Sequence, residues 1–222
     1  MAGVSLDLQL LNLCAALLLL LSFAMLSQRR IVNLVNLLAL QGAVLFVATL
    51  LIAWRTHQAH LYLSAGLTLG LKVLLLPYLL HRLIRRLQVY WDAEPLLNIS
   101  GTMLIGVLIV VFSFGLAQPI SALASTATRN AIGIAVAVVL LSFLTMIIRR
   151  KAMSQVVGFL SMENGLILAA VGVAGMPLVV EISGAFLVLA IFFVFGVFVF
   201  RIRERFDSLD VSHLDRVGET PR

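Results

Sequence analysis

Apolar residues in this chain neither alternate nor recur at every third or fourth position; they run on for about twenty residues at a time. Seven such runs are legible: Val4–Leu26, Ile31–Trp54, Leu61–Leu80, Ile99–Ala117, Ala131–Ile148, Met153–Val173 and Leu178–Phe200. The breaks between them are short: Gln28–Arg30, Arg55–His60, His81–Asn98, Gln118–Asn130, Arg149–Lys151 and Ala174–Pro177. About 20 apolar residues span the roughly 30 Å of a bilayer's hydrocarbon. Open sheet edges cannot face lipid, and barrel strands alternate over about ten residues. The pattern therefore predicts an all-α, polytopic membrane bundle of about seven transmembrane helices.

The polar breaks add an orientation. Arg29 and Arg30, then Arg82, Arg85 and Arg86, then Arg149, Arg150 and Lys151, then Arg201, Arg203 and Arg205 all fall on one side. The other side holds Arg55 and Arg129. The positive-inside rule reads this as an outside N-terminus and a cytoplasmic C-terminus. Residues 1–203 then form the transmembrane domain and 204–222 a solvated, mixed-charge cytoplasmic tail. The N-terminal run has no basic segment before it and is long enough to span, so it reads as a retained helix and not a signal peptide.

Composition narrows the function classes. Hydrophobic residues make up 62% of the chain and charged residues 12%, with mean hydropathy +1.11. Soluble domains carry about twice that share of charge. The net charge of +6 lies in clusters between apolar runs, which argues against a nucleic-acid face. With Cys14 as the single cysteine, no disulfide framework, zinc site, haem motif or iron–sulfur site can be built from cysteines alone. Phosphate-binding glycine loops, nucleophile elbows and metal-ligand motifs are missing from the sequence, so no active site is expected in this chain.

Attention then falls on polar residues inside the runs, because a charge at the bilayer centre costs roughly 2.5–3.5 kcal/mol on insertion scales. Glu163 stands ten residues past Met153, about 15 Å into the layer at the helical rise, which is the midplane. It suits either proton exchange or an ion pair that fixes packing. Lys72 reaches the same depth from the opposite side, as a proton-path group or a structural counter-ion. Gln41 lies at nearly the same level, and Glu181 sits about one turn inside the outer end of the last run.

Other residues take plainer expectations. Pro77 should kink the third run. Asn12, Asn33, Asn36 and Thr68 read as interhelical hydrogen bonders. His57 and His60 read as surface histidines, and His81 as an interface anchor. Gly158, Gly165, Gly172 and Gly184 suit close helix contact. A faint repeat also shows: the second and sixth runs each follow a basic pair and then read LQGAVLFVA (40–48) and MENGLILAA (162–170). The first three runs could thus be a parallel copy of the last three.

The stretch IRRKAMSQVVGFLSMENGLILAAVGV (148–173) resembles the small K-type membrane subunit of complex I and of Mrp-type antiporters. That subunit is a three-helix unit with a basic cytoplasmic pair followed by a Gly–Leu–Glu-like motif ending in Asn. Gly158, Glu163 and Asn164 take those places here. With residues 131–148, the part from 148 to 203 would form the three-helix unit. At full length the chain resembles hydrogenase-4 component E, an enlarged K-type subunit, and KVLLLPYLLHRLIRR (72–86) is similar to that family's third helix. The resemblance implies a non-catalytic membrane-arm subunit of a hydrogenase-4-like or formate-hydrogenlyase-like complex in a bacterial or archaeal inner membrane. Such a subunit holds no cofactor. Its partners would be antiporter-like large subunits and a membrane anchor, beside subunits carrying iron–sulfur clusters and a nickel–iron site. The resemblance carries a proton-path role to Glu163. The family's second carboxylate lies mid-membrane in the last helix, whereas Glu181 lies nearer the outer end. The alternatives are a subunit of a cation/proton antiporter without redox partners, and a free-standing transporter.

Overall fold

The computed structural model describes residues 6–57, 59–87, 98–121, 126–174 and 197. Among these the secondary structure is helical apart from short turns and a single-residue bridge at Arg30 and Lys151. The helices are α1 (Leu6–Ser27), α2 (Ile31–Thr56), α3 (Ala59–Leu67), α4 (Leu76–Leu87), α5 (Ile99–Ser121), α6 (Thr126–Ile148) and α7 (Ala152–Ala174). A π-helical segment, Thr68–Leu75, joins α3 to α4, so these three pieces make one rod. Five stretches of 19 to 26 residues are long and apolar enough to cross a membrane, and Ile132–Ile148 adds a shorter apolar one. The chain is a multi-pass, all-helical membrane protein. The seventh predicted run (178–200), with Glu181 and Gly184, lies outside the described residues except for Val197, as does the 204–222 tail.

Two boundaries differ from the sequence reading. The third rod continues to Leu87, so His81, Arg82, Arg85 and Arg86 ride on a helix and not in a break. Leu80 and Ile84 are buried there while Tyr78, Arg82 and Arg85 are exposed, a helical stripe that a hydropathy reading cuts off at the first basic residue. At the other side, α6 begins at Thr126, which places Arg129 in its first turn. The effect of Pro77 is spread over the turns before it. Proline has no N–H to give the carbonyls of the preceding turn. The helix there takes the wider π pattern, with the Leu76 N–H donating to the Leu71 carbonyl.

Packing is organised around two helical hairpins, α1–α2 and α6–α7. α1 packs on α2 and α6, and α7 packs on α6 and α2, which closes a four-helix square. The third rod lies along α2, and α5 lies against α6 and α1. Gly158 and Gly165 of α7 permit the close approach to α6: a Cβ at Gly165 would stand 3.0 Å from the Val138 and Val139 methyls. Gly172 and Gly184 fall outside the residues whose packing is described.

The two hairpins share a hydrogen-bonding pattern. Ser22 in α1 donates to the Leu18 carbonyl (2.9 Å) and accepts from Gln41 Nε2 (2.9 Å). Ser142 in α6 bonds the Val138 carbonyl (2.7 Å) and the Ser161 hydroxyl (2.9 Å). Both rungs link residues 19 apart in the chain. Gln41 therefore corresponds to Ser161, two residues from the register that the LQGAVLFVA and MENGLILAA strings give.

Polarity is inverted relative to a soluble protein. Leu104, Leu108, Val111 and Phe112 of α5 are all more than half exposed. Gln41, Ser22, Ser142, Ser161, Lys72, Arg149 and Asn164 are buried. One apolar cluster (Ile31, Leu38, Leu76, Leu80, Ile84, Met153, Leu160) fills the end carrying the basic residues. A second (Ala15, Leu18, Leu45, Val138, Leu168) fills the opposite half. The buried polar groups of α1, α2, the third rod and α7 lie between them.

Candidate functional site

Three of the four residues singled out in the sequence meet in that layer. Lys72, from the π segment, forms a hydrogen-bonded ion pair with Glu163 Oε2 of α7. The two side chains are 9% and 14% exposed. The lysine also donates to Asn164 Oδ1 at 2.8 Å. Asn164 Nδ2 faces Gln41 Oε1 at 3.5 Å, the weakest link, and Gln41 continues to Ser22. Glu181, the fourth, lies outside the described residues.

Local structure explains the meeting. Lys72 and Glu163 belong to helices that both flank α2. Gly42 of α2 lets the π segment lie close against α2: a Cβ there would lie 3.2 Å from Lys72 Cβ and 3.4 Å from the lysine's carbonyl oxygen. The π turn buries both Thr68 and Lys72, whereas Leu69 and Gly70 between them face outward. Glu163 and Asn164 are neighbours on α7, so one reaches Lys72 from a mostly buried flank and the other from the fully buried side.

Such an arrangement can hold charge in hydrocarbon at modest cost. A buried ion is tolerated when it is paired and its remaining donors are satisfied. Lysine is a strong donor with no acceptor, and here it meets a carboxylate and an amide carbonyl. The carboxylate is the more exposed member of the pair, by a small margin.

Several polar residues play parts that the sequence reading missed or misplaced. Arg149 reads as one of a cytoplasmic basic cluster, yet it is 2% exposed. Its Nη2 donates to the carbonyls of Met25 (3.0 Å) and Leu26 (3.3 Å), which end α1. A cation at a helix C-terminus also complements the helix dipole. The signal was present: a break of three residues between two long helices leaves room for a tight turn only. Ser22 likewise completes the layer without having stood out as charges do, and Asn164, named beside Glu163 in the motif, links Lys72 to Gln41.

Other expectations sort differently. Asn33 and Asn36 are exposed on α2, and Asn33 bonds Gln28 (3.2 Å), so this pair does not join helices. Asn12 is half-buried and Thr68 is buried. His57 is exposed and ends α2 in the left-handed conformation (φ 53°, ψ 26°), its N–H reaching the Ala53 carbonyl. The side chain of His60 is not among those described. The His81 ring bonds the Pro77 carbonyl through Nδ1 at 2.8 Å, which ties the histidine to its own helix.

Over 182 residues the chain is 36% identical to "Uncharacterized protein Rv0085" of Mycobacterium tuberculosis, covering 81% of this chain and 83% of that protein. No protein-family model matches the chain. No solved structure matches it.

Proposed function

We propose, for a chain that belongs to the family of the mycobacterial protein Rv0085, the role of a non-catalytic membrane-arm subunit in a hydrogenase-4-like or formate-hydrogenlyase-like complex, contributing to a midplane proton path and to subunit assembly. The observation that supports this most is the Lys72–Glu163 pair, buried between apolar clusters and joined to Asn164. An apolar bundle gains little from a pair of opposite charges in place of well-packed side chains. A retained pair in lipid is a functional candidate by default.

In this reading Glu163 exchanges a proton while Lys72 answers through charge. Redox chemistry in partner subunits drives the change, and those partners carry the iron–sulfur and nickel–iron centres. The chain lies in a bacterial or archaeal inner membrane with seven spans, N-terminus outside and C-terminus in the cytoplasm. The clustering of Arg29, Arg30, Arg149, Arg150 and Lys151 at two neighbouring interhelical turns supports that orientation.

Replacement of Glu163 by Gln keeps volume and hydrogen bonding but removes the titrating group. Coupled proton transport by the assembled complex should fall about a hundredfold or more, the lower end of what a lost proton-transfer group costs, while the amount of assembled complex stays the same. Proton uptake into proteoliposomes, read with a pH-sensitive dye, checks this. Unchanged uptake would sink the relay, and loss of assembly would assign the pair to packing instead.

A further inference from the structure

The lysine's lack of any acceptor fixes the polarity of every bond behind it. Lys72 can only donate, so Asn164 must present its carbonyl oxygen to the ammonium. Its NH₂ group then points to Gln41, which must present Oε1. That leaves Gln41 Nε2 to donate to Ser22, and Ser22 donates onward to the Leu18 carbonyl. All donors point away from Lys72, and the line ends on backbone. Bonds aligned in this way polarise one another. The same line cannot conduct protons, because its two amides do not take up and release them near neutral pH and its last acceptor is a peptide carbonyl.

The second hairpin provides the comparison. There the equivalent rung joins two hydroxyls, Ser142 and Ser161. Holding two helices together thus needs no more than a short side chain at the second position. The first hairpin has glutamine in that place, long enough to touch Asn164 as well as Ser22. Gln41 is 0% exposed, and among the described residues its amide bonds Ser22 and Asn164.

We propose that Gln41 and Ser22 are positioning residues for Lys72: acting through Asn164, they orient the acceptor that holds the ammonium opposite Glu163, and they form a branch beside the proton path and not a part of it. The inference rests on the proton-path reading above.

The test uses the chain purified with its co-purifying subunits in proteoliposomes, with proton uptake driven by a potassium diffusion potential and measured across pH. Gln41→Leu and Ser22→Ala should each slow uptake about three- to tenfold near neutral pH, the worth of roughly one hydrogen bond, and displace the pH midpoint of uptake. Ser22→Thr, which keeps the hydroxyl, should restore both. Ser142→Ala, in the other rung, should leave the midpoint in place. An unmoved midpoint in both Gln41→Leu and Ser22→Ala overturns the inference while Glu163→Gln still blocks uptake. Equal shifts from Ser142→Ala, failure of Ser22→Thr to restore, or loss of assembly in both variants assigns the line to packing and overturns it too. If Glu163→Gln leaves uptake intact, the proton-path reading fails and takes this inference with it.

Discussion

Lys72 and Glu163 depend on each other more than on anything else in the bundle. Lys72→Met leaves a carboxylate without its cation, and Glu163→Gln leaves an ammonium with a weaker partner. The double substitution removes both problems. We expect Lys72→Met alone to destabilise the purified chain more than the double variant does, with a coupling of about 1–2 kcal/mol across the cycle, measured by thermal unfolding in detergent. The charged members of this site were legible in the sequence because ionisable residues are rare in apolar runs and helical rise converts position into depth. Gln41 was legible for the same reason. Ser22 was not, since a serine in a membrane helix has many ordinary uses, and Asn164, named beside Glu163 through the resemblance, gave no sign of which neighbours it meets. Arg149 was legible as a charge but not as a buried one, because the positive-inside pattern reads side and not exposure.

At the scale of elements, the helix starts at Ile31, Ile99 and Ala152 lie within a residue of where the runs begin, because hydropathy changes abruptly there. Amphipathic ends were harder: α4 extends seven residues beyond Leu80 with arginines on its exposed side. The π segment had one sequence signal, Pro77, which tells of a missing donor but not of how the helix accommodates it. Helix contacts divide the glycines into two kinds. Gly165→Val would force its side chain against Val138 and Val139, and should cost about 1–3 kcal/mol in the stability of the detergent-purified chain. Gly66→Ala and Gly70→Ala meet nothing within 4 Å. They should change the same measurement by no more than about 0.5 kcal/mol.

The described helices have a polar middle, apolar halves and a basic end, and the basic end is what carries the proposed orientation. Cys14 is the single cysteine, so a Cys14→Ala background permits labelling at chosen sites. His57→Cys should react with a membrane-impermeant maleimide from outside the cell. Gln28→Cys and Arg150→Cys should react only after the membrane is opened. The reverse pattern would invert the topology without changing the packing. The helical, multi-pass character follows from a coarse property of the chain, the length of its apolar runs. The pairing of hairpins into a square does not, because lipid-facing and helix-facing leucines look alike; the equal spacing of the two serine rungs becomes visible only once the helices are in place.

The contact between Arg149 and the end of α1 has a consequence for how the protein is made. The carbonyls of Met25 and Leu26 leave the ribosome long before the guanidinium that covers them, which follows 124 and 123 residues later. At bacterial synthesis rates this is an interval of roughly 6–25 seconds. During that time the first hairpin sits in the membrane with the end of its first helix unfinished, and Gln41 without Asn164. The nascent chain is thus incomplete on its own until the second hairpin inserts beside the first.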